Sequence, residues 1–186
     1  MDEWLTDIIP LSMTELIGNH CGTNKIYEWL QNGHSQPLLL YGPIGTSKTL
    51  SANIICNACN FETHMLYLSD YISTSALKKE IQLILESKNI NSYFCEDAKI
   101  QDKAIIIDDF ECASMHIKQI IKYMMKFSET IPIIFITHSK HHNLLDFVKK
   151  NSLFVEFEKP TFDEMWQWCT FVIQIEITML LKDFVI

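Results

Sequence analysis

The stretch LLLYGPIGTSKTLSANII, residues 38 to 55, narrows the possible architectures more than any other part of the chain. A run of four apolar residues follows Pro37 and stops at Gly42; a turn carries Gly45, and Lys48 and Thr49 open a segment of helical spacing. An apolar run this short, bounded by proline and glycine, reads as a strand buried on both faces. A strand, a glycine loop and a helix in that order bring backbone N–H groups and a helix N-terminus together on an anion. Gly42 and Gly45 allow the tight turn, with Pro43 and Thr46 completing the loop. Lys48 is placed to reach outer phosphates, and the Thr49 hydroxyl to hold magnesium. Ser47 departs from the pattern, because glycine is usual there. A Cβ at that point crowds the phosphates or strains the turn. The competing reading is an ordinary strand–turn–helix with a chance lysine, and the match in its strand–helix context disfavours it.

Two compositional facts sharpen this. All five glycines fall at or before Gly45, so only one stretch can form a glycine-based phosphate cradle. All fifteen basic residues are lysine, so the chain has no guanidinium to offer a reacting phosphate. The formal charge of −8 argues against tight DNA binding by this chain alone. The start, MDEWLTDIIP, is acidic and does not resemble a secretory signal. Six cysteines without a disulfide pattern are expected to be reduced thiols of an intracellular protein. The late stretch TFVIQIEITMLLKDFVI is interrupted by Gln174, Glu176 and Lys182 and reads as an amphipathic or buried helix; no membrane association is expected.

The remaining pattern alternates. Helices are expected over residues 12–31, 48–59, 75–87, 114–127 and 143–150, and strands over 37–41, 64–69, 103–107, 131–137 and 153–157. Alternation of this kind predicts an α/β fold, a five-stranded parallel sheet with helices on both faces. Such sheets bind ligands at the carboxyl ends of their strands. The polar groups expected there are the loop at 42–49, Asp108 with Asp109, and Thr137 with His138. Asp108 follows four apolar residues and is placed to hold magnesium. Asp109 stands where a glutamate usually orients the attacking water, and its shorter side chain sets the carboxylate back. Glu111, two residues further on, is a weak substitute.

Weaker signals leave alternatives open. Cys56 and Cys59 form a C-x-x-C pair with no second pair, which favours core thiols over zinc. His138, His141 and His142 could cluster, but metal there is disfavoured. Lys118, Lys122 and Lys126 recur every four residues, opposite an isoleucine face; a solvated face and phosphate contact both fit, and Lys78 and Lys79 could join the second arrangement.

From about Trp4 to Pro160 the chain resembles the AAA+ core of replication factor C, the sliding-clamp loader, and most closely its large subunit. ELIGN with TNKIYEWLQN resembles the family's first segment, LLLYGPIGTSKT its Walker A loop, YLSDYISTSALK its serine–aspartate segment, and IIIDDFE its Walker B. IPIIFITH resembles the sensor-1 strand, and LFVEFEKP the strand that closes the core. The resemblance implies a P-loop AAA+ core over residues 1–160 and a residual lid-like helical tail over 161–186. It implies ATP and magnesium as ligands, with Gly42, Pro43, Gly45, Thr46, Ser47, Lys48, Thr49 and His138 on the nucleotide, and Ile17 and Gly18 near adenine. Thr49 and Asp108 would hold magnesium, and Asp109 takes the catalytic glutamate's place. His138 stands where asparagine is usual. Lys150, Asn151 and Ser152 replace the arginine finger of the small subunits, an absence shared with the large one.

The implied function is that of an ATP-binding clamp-loader subunit in a hetero-oligomer for DNA replication or repair, at a nuclear or cytoplasmic replication site. Its implied partners are other loader subunits, a sliding clamp and, within the complex, primer–template DNA touched by Lys78, Lys79, Lys118 and Lys122. ATPase activity is expected only with an arginine from a partner. The alternatives are a degenerate, non-hydrolysing structural subunit and a small P-loop kinase; the missing arginines count against the kinase.

Overall fold

The computed structural model describes residues 9–70, 73–86, 102–108, 117–138 and 143–183; for Ser69, 117–118, 143–145 and 174–183 only the backbone is described. A 3₁₀ turn at Met13–Glu15 precedes α1 (His20–Gln31), β1 (Leu38–Tyr41) and α2 (Lys48–Ala58). Then come β2 (Phe61–Tyr67), α3 (Thr74–Glu86), β3 (Asp102–Asp108) and α4 (Ile117–Met124). The last elements are β4 (Ile133–Thr137), α5 (Asn143–Lys150), β5 (Leu153–Glu156) and the long α6 (Phe162–Asp183). The five strands form one sheet in the order β2-β3-β4-β1-β5, and every pairing is parallel.

The apolar strands are buried on both faces, as their unbroken hydrophobicity requires. Successive side chains of a strand point to opposite faces, and the two cores divide accordingly. Leu39, Ile105, Ile107, Ile133 and Phe135 pack with residues of α3, α4 and α5. Leu38, Leu40, Ala104, Ile106, Ile134 and Ile136 pack with Ile26, Trp29 and Leu30 of α1 and Ala52, Ile55 and Cys56 of α2. Cys56 is one of these core side chains, and burial pushes its thiol up to about 12, the property of an inert packing residue.

Several boundaries differ from the sequence reading. The helix expected over 12–31 is broken in two. Gly18 (φ +65°) and Asn19 (φ +52°) both take the left-handed conformation, which ends one turn and starts α1 at His20. Asn19 is held there by an exchange with the far end of the chain. Its Nδ2 donates to the Glu158 carbonyl at 2.8 Å, and the Glu158 N–H donates to its Oδ1 at 2.7 Å. β2 starts at Phe61, three residues before the expected strand, because its pairing with β3 begins at Phe61 opposite Asp102. The FETH segment is polar and half-buried, the composition of a sheet edge. β4 starts at Ile133 because Pro132 has no N–H to donate, although its carbonyl accepts from Ile105 at 2.9 Å.

Candidate functional site

β1 lies between β4 and β5, and β4 lies between β1 and β3. The parallel register sets Tyr41 opposite Thr137, and Ile107 opposite Phe135. The chain therefore leaves β1 through Gly42, reaches Asp108 on β3, and ends β4 at Thr137 along one rim of the sheet. A cavity of about 300 Å³ opens there, lined by residues 44–50, Asp108 and residues 136–138. Such a volume is at the lower end of the range for small-molecule sites.

The loop is built around two glycines with different tasks. A Cβ on Gly42 would overlap the carbonyl oxygen of Phe157, so glycine is required by close approach of the backbone that follows β5. That approach is fixed by a hydrogen bond from the Phe157 N–H to the Tyr41 carbonyl at 2.6 Å. Gly45 has φ +80° and nothing within 4 Å of a Cβ position; its glycine serves the turn. Thr46 is buried and donates its hydroxyl to the Pro43 carbonyl at 2.9 Å, which closes the loop on itself.

Lys48 is 7% exposed, low for a lysine. Its Nζ donates to the carbonyls of Gly42 at 2.8 Å and Pro43 at 2.7 Å, and lies 3.4 Å from Thr46 Oγ1. The ammonium is thus drawn under the loop, held by the loop's own oxygens. Thr49, on the next position of α2, donates its hydroxyl to Asp108 Oδ2 at 2.7 Å. A carboxylate and a hydroxyl joined in this way, beside a buried ammonium and a helix N-terminus, form a donor set suited to phosphate oxygens and a hard divalent cation.

Ser47 is the N-cap of α2, exposed at the cavity, with φ +59° and ψ +24° and no side-chain cap hydrogen bond. Left-handed backbone costs a non-glycine residue roughly 1–2 kcal/mol. The departure noted in the sequence therefore has a physical form: a Cβ sits on a second loop position, after Gly45, whose left-handed conformation favours glycine. If this loop holds a nucleotide's phosphates, Ser47→Gly is expected to stabilise the fold by removing that strain and to tighten nucleotide binding severalfold by removing the side chain beside them. Paired titrations of the two proteins in one buffer check this, and equal or weaker binding by the variant would show that the loop accommodates serine without cost.

Of the other residues singled out in the sequence, Thr137 is buried and His138 exposed at the cavity rim. Asp109, Glu111, His141 and His142 lie outside the described residues. Among the described residues no group of three or more His, Cys, Asp or Glu could hold a metal ion, and Cys56 is packed in the core. No described helix is long and apolar enough to cross a membrane. A second cavity, of about 240 Å³, includes Ile17 and Gly18, the pair that the resemblance set near adenine, while its other wall was missed by residue-level reading. It lies between residues 14–20 and α6, with Ile17 and Gly18 on one side and Gln167, Trp168 and Phe171 on the other. Its aromatic half comes from the tail helix, and nothing in the local sequence tells that this helix folds back on Gly18.

Comparison with known proteins agrees with this architecture. The chain is 24% identical over 191 residues to replication factor C subunit 1 of Schizosaccharomyces pombe, covering 87% of this chain and 20% of that protein. It is 29% identical over 94 residues to the replication factor C large subunit of Methanococcus vannielii, covering 48% of this chain and 19% of that one. It spans about a fifth of the length of these relatives. The fold superposes on the Thermotoga maritima RuvB Holliday junction branch migration motor with a TM-score of 0.62 at 17% identity, over 87% of this chain and 52% of that one. The family model of the ATPases associated with various cellular activities matches residues 38–156, from the first residue of β1 to the last of β5. The chain belongs to this AAA ATPase family.

Proposed function

We propose that the chain is an ATP- and magnesium-binding subunit of a clamp-loader type, working within a hetero-oligomer in DNA replication or repair. The observation that carries the reading is the Thr49–Asp108 hydrogen bond beside the buried Lys48, within a chain similar to replication factor C large subunits. Lys48 would exchange loop carbonyls for phosphate oxygens, and Thr49 and Asp108 would hold the magnesium. The metal's chemical contribution is to neutralise charge on the phosphate oxygens. Gly42, Pro43, Gly45, Thr46 and Ser47 would supply the cradle, and His138 the far wall. The cavity beside Ile17 and Gly18 would take the base, which gives residues 161–186 the place of a residual lid on a core of residues 1–160. Asp109 would orient water. Other loader subunits and a sliding clamp are the proposed partners.

Calorimetric titration of the chain with ATP, with and without magnesium, tests the nucleotide reading. Magnesium is expected to tighten binding by roughly tenfold or more, about 1.4 kcal/mol. A folded chain that binds no ATP would leave the structural-subunit alternative.

DNA contact is proposed for the assembled complex only. Lys78 and Lys79 lie on α3 and Lys122 on α4, all exposed, and the backbone of Lys118 is one turn before Lys122. Lys78 Nζ stands 5.8 Å from the centre of the Tyr123 ring on α4, and Lys122 Nζ stands 5.2 Å from that of Phe147 on α5. The opposite face of α4, with Ile120, Ile121 and Met124, is buried. Lys78→Ala with Lys122→Ala is expected to flatten the salt dependence of DNA binding by the complex by about two units of slope. An unchanged slope in a complex shown to contain the subunit would return these lysines to a solvated face.

A further inference from the structure

The tail helix α6 presents two faces. Gln167, Trp168 and Phe171 line the cavity beside Gly18. Phe162, Met165, Trp166, Cys169 and Ile173 recur at the three- and four-residue spacing of one helical face, and all are exposed. Phe162, Met165, Trp166 and Ile173 are 72%, 44%, 65% and 55% exposed. Together they leave on the order of 500 Å² of apolar surface in water, taking roughly 200 Å² for a full side chain. A patch of that size matches the largest on a typical monomer, which is often functional, and a partner covering it would bury about 1,000 Å² in total, the lower limit for a specific interface.

The helix is fixed where this face begins. Glu164 Oε2 accepts from the Thr161 N–H at 2.7 Å and the Thr161 hydroxyl at 2.9 Å, and the Glu164 N–H donates back to Thr161 Oγ1 at 3.3 Å, a reciprocal N-terminal cap. The Phe162 and Trp166 rings stack at 6.3 Å with 18° between planes, an exposed aromatic pair that serves as a platform on the first turn. Between Lys159 and Lys182 its charge has one sign. From Pro160 to Leu181 the chain carries Asp163, Glu164 and Glu176 and no lysine, and Glu156 and Glu158 are exposed just before the helix, with Lys159 between them and it.

We propose that this face is a docking site for a basic amphipathic helix of another protein. Apolar side chains of the partner would cover Met165, Cys169 and Ile173. A lysine or arginine would lie on the Phe162–Trp166 platform, where a cation is attracted by the ring faces, with Asp163 alongside. A second copy fits less well, since two chains of charge −8 repel and neither has a basic group in this stretch.

The test uses the full chain and two synthetic 18-residue amphipathic peptides, one of leucine and lysine and one of leucine and glutamate, titrated by calorimetry. The lysine peptide is expected to bind about tenfold or more tighter than the glutamate peptide, and to lose about tenfold or more with Phe162→Ser/Trp166→Ser. Asp163→Lys, which leaves the platform intact, should weaken the lysine peptide and strengthen the glutamate one. Equal binding of both peptides, or binding unchanged in both variants, would overturn the proposal. So would self-association of the wild-type chain in sedimentation that the double variant abolishes, because the occupant would then be a second copy. Unchanged melting of the variants confirms that they fold.

Discussion

Purified alone and saturated with magnesium and ATP, the chain should release phosphate at a rate close to background. Phosphoryl transfer is catalysed by positioning and by stabilising charge on the transferred group, and an arginine supplied to it is worth about 10³–10⁵ in rate. The sequence contains no arginine, so neither the chain nor a second copy can supply one. Lysine carries the charge but lacks the planar fork that holds two oxygens at once. Lys48, which lines the site, is committed to the loop and the phosphates it would bind. In the role proposed for it, Asp109 would add a shorter reach to water, and a displacement near 1 Å costs about a hundredfold. Phosphate release by the chain alone and with its partners, using Lys48→Ala as the contamination control, measures this. Fast, Lys48-dependent hydrolysis by the isolated chain would show that a guanidinium is not required here. Turnover that appears only with a partner, and disappears when one partner arginine is changed, is the expected positive result.

The second large effect concerns Lys48 itself. Lys48→Ala should weaken ATP binding by about a hundredfold or more, from the loss of one or two charge-assisted hydrogen bonds at about 1.5–3 kcal/mol each. The same substitution strips two loop carbonyls of their donor, and an unsatisfied buried acceptor costs roughly 1–3 kcal/mol. Calorimetry must therefore be paired with a melting curve. Asp108→Asn separates the two effects. It leaves Lys48 and its carbonyls in place, yet should remove most of the magnesium dependence. Equal ATP affinity of wild type and a folded Lys48→Ala protein would mean that the loop does not hold the nucleotide's phosphates.

Much of this was legible in the sequence because the central strands carry their environment in their composition. IPIIFIT and KAIIID can be buried only between two layers of helix, and that fixes a parallel sheet. The loop at 42–49 and Asp108 could be named because short spacings near strand ends translate directly into geometry. What the sequence hid were the long-range ties. Nothing in Asn19 itself announces a partner at Glu158, so the break between Leu16 and His20 read as continuous helix. The polar half of β2 is strand only because β3 lies beside it. Gly42 was read as turn chemistry, whereas its sharper constraint is the Phe157 carbonyl.

That carbonyl has a mechanical consequence. Among the described residues β5 is an edge strand of four residues, joined to the sheet through β1 alone. Directly after it, Phe157 abuts Gly42, Glu158 is bonded to Asn19, and Pro160 and Glu164 lie against Gly18. Residues 157 to 160 thus form a strap of at most about 11 Å between Gly42, where the loop begins, and Gly18, which lines the second cavity. A ligand that fills both cavities would brace this short edge from each end. Its amides would then exchange with solvent more slowly as ligand concentration rises, gaining about 2.7 kcal/mol of protection at a hundred times the dissociation constant. The sheet's weakest margin would be the part of the molecule whose rigidity is set by supply of ligand rather than by the chain.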